Sequence, residues 1–342
     1  MTYQAFQSAG YLATEEEVRA FERLIIDSYK TALSEINGKL AVLFAKAEGI
    51  KPADMYNWSI QYNRLTTLRD EITAVYRKYD VIAERYQIEA FNTGFTNQYY
   101  RSAYTLEWAE PLTFTPLDPN LVNYALTGEV EVWKKLKQIG EASDWVPAAG
   151  TLSAIVKDYR NKAVKDILAQ VNAGLINGEG YVKISKRIAS IIGTEYNGQV
   201  TGQMAKAMRI ARTEGHRAQN MGELASAYEA EYQGVKISRV WDATLDISTR
   251  AEHAAADGQT VGMDEPFSVG GELLQFPGDP SGRADNTINC RCHAITLAGG
   301  FKPTARRGRD PATGNNQVFS YKTFTEWAKE KGLTKNKYGR MY

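Results

Sequence analysis

The stretch VKISRVWD, from Val235 to Asp242, decides the fold class of this chain of 342 residues. Before Gly234 the apolar residues recur in steps of three and four, as they do on one face of a helix. After Gly234 the period changes to that of a strand with β-branched and aromatic residues. The sequence therefore predicts an α+β fold in which helices precede a β unit.

The residues that follow this stretch predict the rest of a small, mostly antiparallel β unit over 235–297. Phe267 to Phe276 predicts a hairpin, because two apolar runs flank the turn dipeptide Gly270-Gly271. Cys292 to Leu297 predicts one more strand. We expect this β unit to pack on the helices that precede it.

The residues before Gly234 predict helices only. Long helices are expected at about 151–172, 180–192 and 199–232, with glycine-rich breaks between them. Shorter helices are expected at 119–126 and 129–140.

The N-terminal residues predict a hairpin of two long amphipathic helices with a breaker at Gly49 and Pro52. Thr14 and Glu17 have capping-box spacing at the predicted start of the first helix. A helical hairpin exposes part of its apolar surface, and such patches mark partner surfaces. The apolar stripes comprise Val18, Phe21, Ile25, Tyr29, Ala32, Ile36, Leu40 and Leu43, and Leu65, Leu68, Ile72, Val75, Tyr79, Ile82 and Tyr86.

Breaks in composition divide the chain into three predicted segments. A break at 144–150 separates a helical docking domain at 1–150 from an α+β domain at 151–298. A basic tail follows at 299–342 and is expected to be loop-like, except for a short helix from Thr323 to Lys331.

Charge is distributed unevenly along the chain, although the net charge is only +1. Residues 1–150 carry a net charge of −5, residues 151–300 carry −1, and residues 301–342 carry +7. Arg306, Arg307 and Arg309 cluster in the basic tail. Such a tail suits non-specific contact with DNA phosphates or with an acidic protein surface, and the alternative is a solvated terminus.

Composition and motifs exclude several classes of protein. The chain is 43% hydrophobic and 24% charged, as in ordinary globular proteins. No apolar run approaches the ~18 residues of a membrane helix, and residues 1–10 do not resemble a signal peptide. Two cysteines are too few for a disulfide framework. The nucleophile-elbow, Walker, zinc-protease and dinucleotide-binding motifs are missing from the sequence.

Cys290 and Cys292 form a Cys-x-Cys motif at the start of a predicted strand. Because side chains alternate along a strand, both sulfurs face one side and His293 faces the other. Together with His253, and with Asp257 as a fourth ligand, they form a candidate structural zinc site. The alternative is that two reduced thiols pack as small apolar groups. We do not expect a disulfide between them.

A polar motif lies in the middle of the helix predicted at 199–232. It consists of Arg212-Thr213-Glu214 with Arg217 and Asn220. Glu214 and Arg217 are i,i+3 neighbours and can form an ion pair. The motif fits either a charged helix surface or a buried polar network that fixes the helix against the β unit.

The order of these motifs resembles the phage Mu F-like head-morphogenesis family, the minor head proteins of tailed phages and prophages. The resemblance covers about residues 155–297. Each motif alone is weak, but their order is fairly specific. The motifs are Arg212-Thr213-Glu214, Asn220, Trp241-Asp242, Thr249-Arg250, His253, Asp257-Gly258, Phe267, Pro277-Gly278-Asp279-Pro280 and Asn289-Cys290-Arg291-Cys292.

The resemblance implies a virion protein in the interior of the capsid near the portal, and in the host cytoplasm during assembly. It implies that the portal protein and packaged double-stranded DNA are partners, with the major capsid or scaffold protein as a further candidate and no membrane contact. The implied role is in head morphogenesis and in DNA packaging or ejection, without enzymatic activity. Some family members carry a toxin domain after this part; here about 45 residues follow Leu297, which is too few.

Two other functions fit parts of the sequence. A metal-dependent hydrolase carried in the virion would use His253, Cys290 and Cys292. A cytoplasmic helical adaptor would depend on the long helices alone.

Overall fold

A computed structural model describes residues 3–48, 58–114, 116–117, 122, 152–177, 179, 181–197, 199–298, 303–313 and 315–334. The predicted breaker at Gly49 and Pro52 and the predicted break at 144–150 lie outside these residues. Of the predicted helices at 119–126 and 129–140, only position 122 is described.

The helices before Gly234 lie close to their predicted positions. They are α1 (Tyr3–Glu48), α2 (Trp58–Ala109), α3 (Leu152–Ile176), α4 (Tyr181–Ile192) and α5 (Gly202–Tyr232). The predicted cap at Thr14 is wrong, because α1 begins at Tyr3 and continues through this position. No proline precedes Thr14, and the glycine in this segment, Gly10, does not stop the helix from extending upstream.

The α+β fold is confirmed by the strands that follow. Two strands of two residues each, β1 (Glu195–Tyr196) and β2 (Gln199–Val200), precede α5. The strand predicted at 235–242 is present as β3 (Ile237–Asp242). It lies between β4 (Thr260–Val261) and β7 (His293–Ala298), and both neighbours are antiparallel to it. In the register of β3 with β7, Ile237 is opposite Ala298 and Asp242 is opposite His293.

The predicted Gly-Gly hairpin is also confirmed. It consists of β5 (Phe267–Val269) and β6 (Glu272–Leu274), which pair antiparallel. Gly270 and Gly271 have φ values of 59° and 81°, and two successive positive φ values are the requirement of the turn that suits a tight hairpin. Two short helices flank the hairpin in the chain, α6 (Ala251–Ala255) and α7 (Ala284–Thr287).

The predicted loop-like tail is wrong for residues 303–334, although the helix expected within it is present. This segment forms a hairpin of β8 (Ala305–Arg309) and β9 (Asn316–Ser320), followed by α8 (Phe324–Glu330). Phe324 and Trp327 are buried in the hydrophobic core around Trp241, and this apolar burial explains why the segment is ordered.

The described chain forms two compact units, and each contains separate parts of the sequence. One unit comprises the described residues within 20–88 and 152–211, and the other comprises those within 1–19, 89–151 and 212–342. In the first unit, Ile25, Ile72, Ile167 and Ile188 share one core. This grouping differs from the predicted division after 150 and 298, because α1 and α2 pack with later helices as well as with each other.

Candidate metal centre and its polar support

Three buried side chains converge at the start of β7. They are His253 on α6, and Cys290 and Cys292 in the segment between α7 and β7. Their ligand atoms all lie within 4.8 Å of one another. Nδ1 of His253 is 3.4 Å from Sγ of Cys292 and 3.6 Å from Sγ of Cys290, and both thiols are free.

These distances fit a metal ion as well as a hydrogen-bonded thiol cluster. Zinc binds a histidine nitrogen at ~2.0 Å and a thiolate sulfur at ~2.3 Å, so two such tetrahedral ligand atoms lie about 3.5 Å apart. The three residues are nearly sealed from solvent, with exposed fractions of 1% for His253, 4% for Cys290 and 3% for Cys292. The arrangement could therefore hold a soft metal ion in a dry site.

Asn286 on α7 determines which nitrogen of His253 faces the sulfurs. Its Oδ1 lies 2.7 Å from His253 Nε2, and its Nδ2 donates to the backbone oxygen of Val269 and to Glu272. Because Asn286 Nδ2 is occupied as a donor, the Oδ1 atom faces His253 and accepts a hydrogen bond from its protonated Nε2. His253 then presents the lone pair of Nδ1 to Cys290 and Cys292, as a metal-binding histidine does.

The structure does not bring Asp257, the predicted fourth ligand, into this group. Asp257 Oδ1 accepts from the backbone nitrogen of Ala243 at 2.9 Å and from Arg306 at 2.6 Å, while Oδ2 accepts from the backbone nitrogen of Phe324 at 2.7 Å. Its carboxylate is therefore saturated by other partners. Sequence spacing could not reveal this, because the competing partner Arg306 is supplied by the distant tail.

The pKa values of the cluster reflect its hydrogen bonds and burial. The hydrogen bond between the two thiols lowers the pKa of Cys290 and, with burial, raises the pKa of Cys292 well above its ordinary value. Burial lowers the pKa of His253, but the interaction with Cys292 outweighs it and leaves that pKa raised. Cys290 is thus the sulfur that ionises first.

His293 faces away from the cysteines, as the alternation of a strand predicts. Its Nε2 accepts a hydrogen bond from Arg307 at 2.5 Å, and its ring lies edge-on to His216 with ring centroids 6.1 Å apart. Burial, with the nearby Arg307 charge, lowers the pKa of His293 well below its ordinary value. His293 is therefore neutral, and it packs on the face of β7 opposite to the cysteines.

The polar motif on α5 forms a buried network, one of its two predicted alternatives, except that Arg212 is exposed. Glu214 and Arg217 are paired at 2.7 Å, and Arg217 also donates to the backbone oxygen of Gly278. Thr213 accepts from the backbone nitrogen of Asn289, and Asn220 bonds the backbone beside Cys292. The helix thus holds the loop at Gly278 and the segment that carries Cys290 and Cys292.

Glu223 extends this network, although no sequence motif pointed to it. It accepts from the backbone nitrogen of Thr296 on β7 at 3.0 Å and from Gln98 on α2 at 2.8 Å. Burial raises its pKa. The sequence indicated Glu223 as a member of the network only through its i,i+3 spacing from Asn220, which places both residues on one helix face.

The short helix α6, which carries His253, has Arg250 as its N-cap and no side-chain cap, although Asp246 and Thr249 lie just before it. Asp246 instead accepts from the backbone nitrogen of Ser248, and Thr249 donates to the backbone oxygen of Thr244. These bonds shape the loop before the helix.

Two arginines expected in a DNA-contacting tail are buried. Arg306 has an exposed fraction of 0%, and its guanidinium lies 2.9 Å from Asp242 and 2.6 Å from Asp257. Arg307 donates to the backbone oxygen of Arg291 as well as to His293. Arg309 lies 3.5 Å from Asp246. The prediction that these arginines form an external DNA-contacting cluster is therefore wrong. Carboxylates and backbone carbonyls of the protein itself bind their guanidinium groups.

A polar cleft of about 550 Å³ lies beside the cluster. Its lining includes Arg250, Glu252, Arg283 and Asn286. Asn286 touches His253 on its Nε2 edge, and neither cysteine lines the cleft. The cleft therefore approaches the histidine from the side away from the sulfurs.

Comparison with known proteins gives matches to phage head components. Residues 165–295 match the family described as Phage Mu protein F like protein. Over 315 residues the chain is 30% identical to Minor head protein GP7 of Bacillus phage SPP1, which covers 91% of this chain and 92% of that protein. No solved structure matches this chain.

A second relative bears the name of an enzyme. The chain is 26% identical over 331 residues to NAD(+)--arginine ADP-ribosyltransferase EFV of Enterococcus faecalis (strain ATCC 700802 / V583). That alignment covers 95% of this chain but only 58% of the enterococcal protein.

The fold, the motif order and these matches define a structural protein of the phage head. The chain belongs to the Phage Mu F-like family of minor head proteins, as its motifs predicted. Its role is that of a minor head protein and its place is the virion. In the described ranges, no helix combines the length and apolarity needed to cross a bilayer.

Proposed function

We propose that this minor head protein lies in the interior of the capsid near the portal, where it acts in head morphogenesis and in DNA packaging or ejection. The observation that carries the proposal is the similarity to a minor head protein over 92% of that protein's length. The proposed partners are the portal protein, packaged double-stranded DNA and the major capsid or scaffold protein. Mass spectrometry of purified particles, and cross-linking within them, tests both place and partners.

The helical segment 1–150 is the proposed portal-docking part. Support comes from apolar side chains that α1 and α2 leave exposed, with fractions of 39% for Leu24, 54% for Val42 and 52% for Val81. Deleting the whole segment would be uninformative, because α1 and α2 supply core residues to the unit with α3 and α4.

Point substitutions test docking more sharply. We expect the triple variant Leu24→Ser, Val42→Ser, Val81→Ser to fold but to enter heads at least about tenfold less often, because each serine weakens an apolar contact by roughly 1–3 kcal/mol. Val182→Ser is the control, since Val182 on α4 is 50% exposed and lies outside the docking segment. Normal incorporation of the triple variant would show that these side chains do not dock.

A structural zinc ion held by His253, Cys290 and Cys292 is the proposed cofactor. Its support is the spacing of the three ligand atoms and the orientation that Asn286 imposes on His253. When bound, the metal would cross-link α6 to the segment before β7 and so stabilise the β unit. We expect about one zinc per chain by elemental analysis, and a lower melting temperature after chelation. Metal-free protein of unchanged stability would favour the reduced thiol cluster.

We infer that the protein has no enzymatic activity of its own. The competing function is a metal-dependent hydrolase, and one observation favours it: three protein ligands are the number found in catalytic zinc sites. Burial of all three residues opposes it, because a substrate needs access to the open metal position. This chain matches only 58% of the enterococcal relative, so the NAD-dependent activity in that protein's name is not carried over to it.

An activity screen separates these functions. Purified zinc-loaded protein is assayed on DNA, peptidoglycan and NAD⁺, with His253→Gln as the control. We expect no turnover above that of the control. Turnover that depends on His253 would establish the hydrolase instead.

A further inference from the structure

A basic surface lies on helices α3 and α4, and the charge sums of the three sequence segments did not reveal it. Residues 152–211 contain nine lysines and arginines against four aspartates and glutamates, a net charge of +5. Four of these lysines are exposed: Lys162 and Lys165 on α3, and Lys183 and Lys186 on α4. We call these four residues the lysine face.

Packing places the two helices side by side and turns the lysines outward. Gln170 on α3 accepts a hydrogen bond from Arg187 on α4 at 3.0 Å, and Gly174 packs against Ile184. The inward positions of these helices, including Ile167, are buried in the core. Each lysine pair has i,i+3 spacing, so each pair lies along one helix face. Neighbouring helices lie roughly 8–10 Å apart, which brings both pairs within reach of one extended ligand.

Ion pairing distinguishes this face from three lysines on α1 and α2. On α1 and α2, Lys30 pairs with Glu195, Lys39 with Glu71 and Lys78 with Glu35. Within the described ranges, none of the four lysines of the lysine face takes part in a salt bridge. Their charges are therefore available to an external anion.

The chemistry of the partner follows from this arrangement. Flexible lysines that are not set in a fixed hydrogen-bond geometry suit repeated phosphates, not a single carboxylate or a base edge. In a phage head the abundant polyanion of this kind is duplex DNA. We propose that the lysine face binds the phosphate backbone of duplex DNA without sequence preference. This inference rests on the proposed placement inside the head, and it assigns the DNA contact to α3 and α4 in place of the buried tail arginines.

The test compares three full-length variants that each lose three positive charges. The face variant is K162Q/K165Q/K186Q, which leaves Lys183 because its charge also acts on Glu179. The control variant is K30Q/K39Q/K78Q, in which every removed lysine is already paired. The tail variant is K335Q/K337Q/R340Q. Each is titrated against a random-sequence duplex between 50 and 200 mM salt, and circular dichroism confirms that each is folded.

We expect only the face variant to lose affinity. The slope of log K against log salt should decrease by roughly 2–3, since each lost phosphate contact contributes about 0.9. An equal loss in all three variants would mean that total charge decides, and it would overturn the inference. A loss of affinity confined to the tail variant would overturn the inference and would assign the DNA contact to the tail.

Incorporation of the same variants into heads keeps this test separate from the proposed function. Normal incorporation of a face variant that no longer binds DNA supports the inference. Normal DNA binding with lost incorporation would assign the lysine face to an acidic protein surface and overturn it. Failure of the wild-type protein to enter heads would instead contradict the proposed function, whatever the DNA titration shows.

Discussion

Asn220 on α5 makes two hydrogen bonds with the backbone beside Cys292. Its Nδ2 donates to the backbone oxygen of Cys292 at 3.2 Å, and its Oδ1 accepts from the backbone nitrogen of Ala294 at 2.9 Å. Among the residues that the structure describes, no strand pairs with this side of β7 in its three-stranded sheet. A helix side chain thus satisfies a strand edge that would otherwise be open to unwanted pairing, and it fixes the backbone of a candidate metal ligand.

Replacing Asn220 with alanine should therefore destabilise the protein. The substitution leaves one buried backbone acceptor and one buried backbone donor unpaired, which costs roughly 2–4 kcal/mol in total. Urea denaturation measures this loss. The control is Asn161→Ala, because Asn161 is exposed on α3 and should change stability by no more than about 0.5 kcal/mol. Equal effects of the two substitutions would show that the Asn220 bonds contribute little.

Local patterns predicted the elements of the β unit and part of the candidate site. The Gly-Gly turn, the strand that ends at Asp242 and the orientation of His293 away from the cysteines follow from near-neighbour geometry alone, and all three are confirmed. The convergence of His253 with the two cysteines was predicted as a choice between a metal site and a thiol cluster. The side-chain spacing found in the structure fits both.

Long-range partners could not be predicted in this way. Asp257 looked like a metal ligand because it follows His253 closely in the chain, but it is saturated by Arg306 and Phe324 from the tail. Arg306 looked like a surface residue because it lies in a basic segment. Burial of a charge depends on a partner supplied from elsewhere, and composition carries no information about that partner.

The pairing of Arg306 with two buried aspartates predicts a strong effect of its removal. Arg306→Met should lower the free energy of unfolding by about 3–5 kcal/mol, because Asp242 and Asp257 would keep their burial and lose their counter-charge. Thermal or urea denaturation tests this against Lys329→Met as the control, because Lys329 is exposed on α8. Adding Asp257→Asn to Arg306→Met should restore part of the stability, and a purely additive double variant would contradict the coupling.

Asp242 should make stability depend on pH. Burial raises its pKa to about 6, in spite of the opposing charge of Arg306, whereas the ordinary value is 3.8. A carboxyl group with a raised pKa binds more protons in the folded state, so its contribution is fully present below about pH 4 and is lost as the pH rises through 6. Relative to Asp242→Asn, the free energy of unfolding of the wild type should decrease by on the order of 2–3 kcal/mol between pH 4 and pH 7. A constant difference across this range would show that Asp242 does not titrate there.

The close approach of α2 and α5 predicts opposite effects of one substitution at two glycines. A Cβ atom added at Gly222 would lie 2.3 Å from the backbone oxygen of Phe95 and 3.0 Å from the backbone nitrogen of Tyr99. Neither contact can be relieved by a side-chain rotation, so the helices would have to separate. We expect Gly222→Ala to cost about 1–3 kcal/mol. Gly38 on α1 has nothing within 4 Å of the same atom, so Gly38→Ala should stabilise the protein by roughly 0.5–1 kcal/mol through the unfolded chain and helix propensity. Urea denaturation of both variants measures these changes in the free energy of unfolding. Changes of the same sign would mean that helix propensity or local strain, and not the contact between α2 and α5, controls both positions.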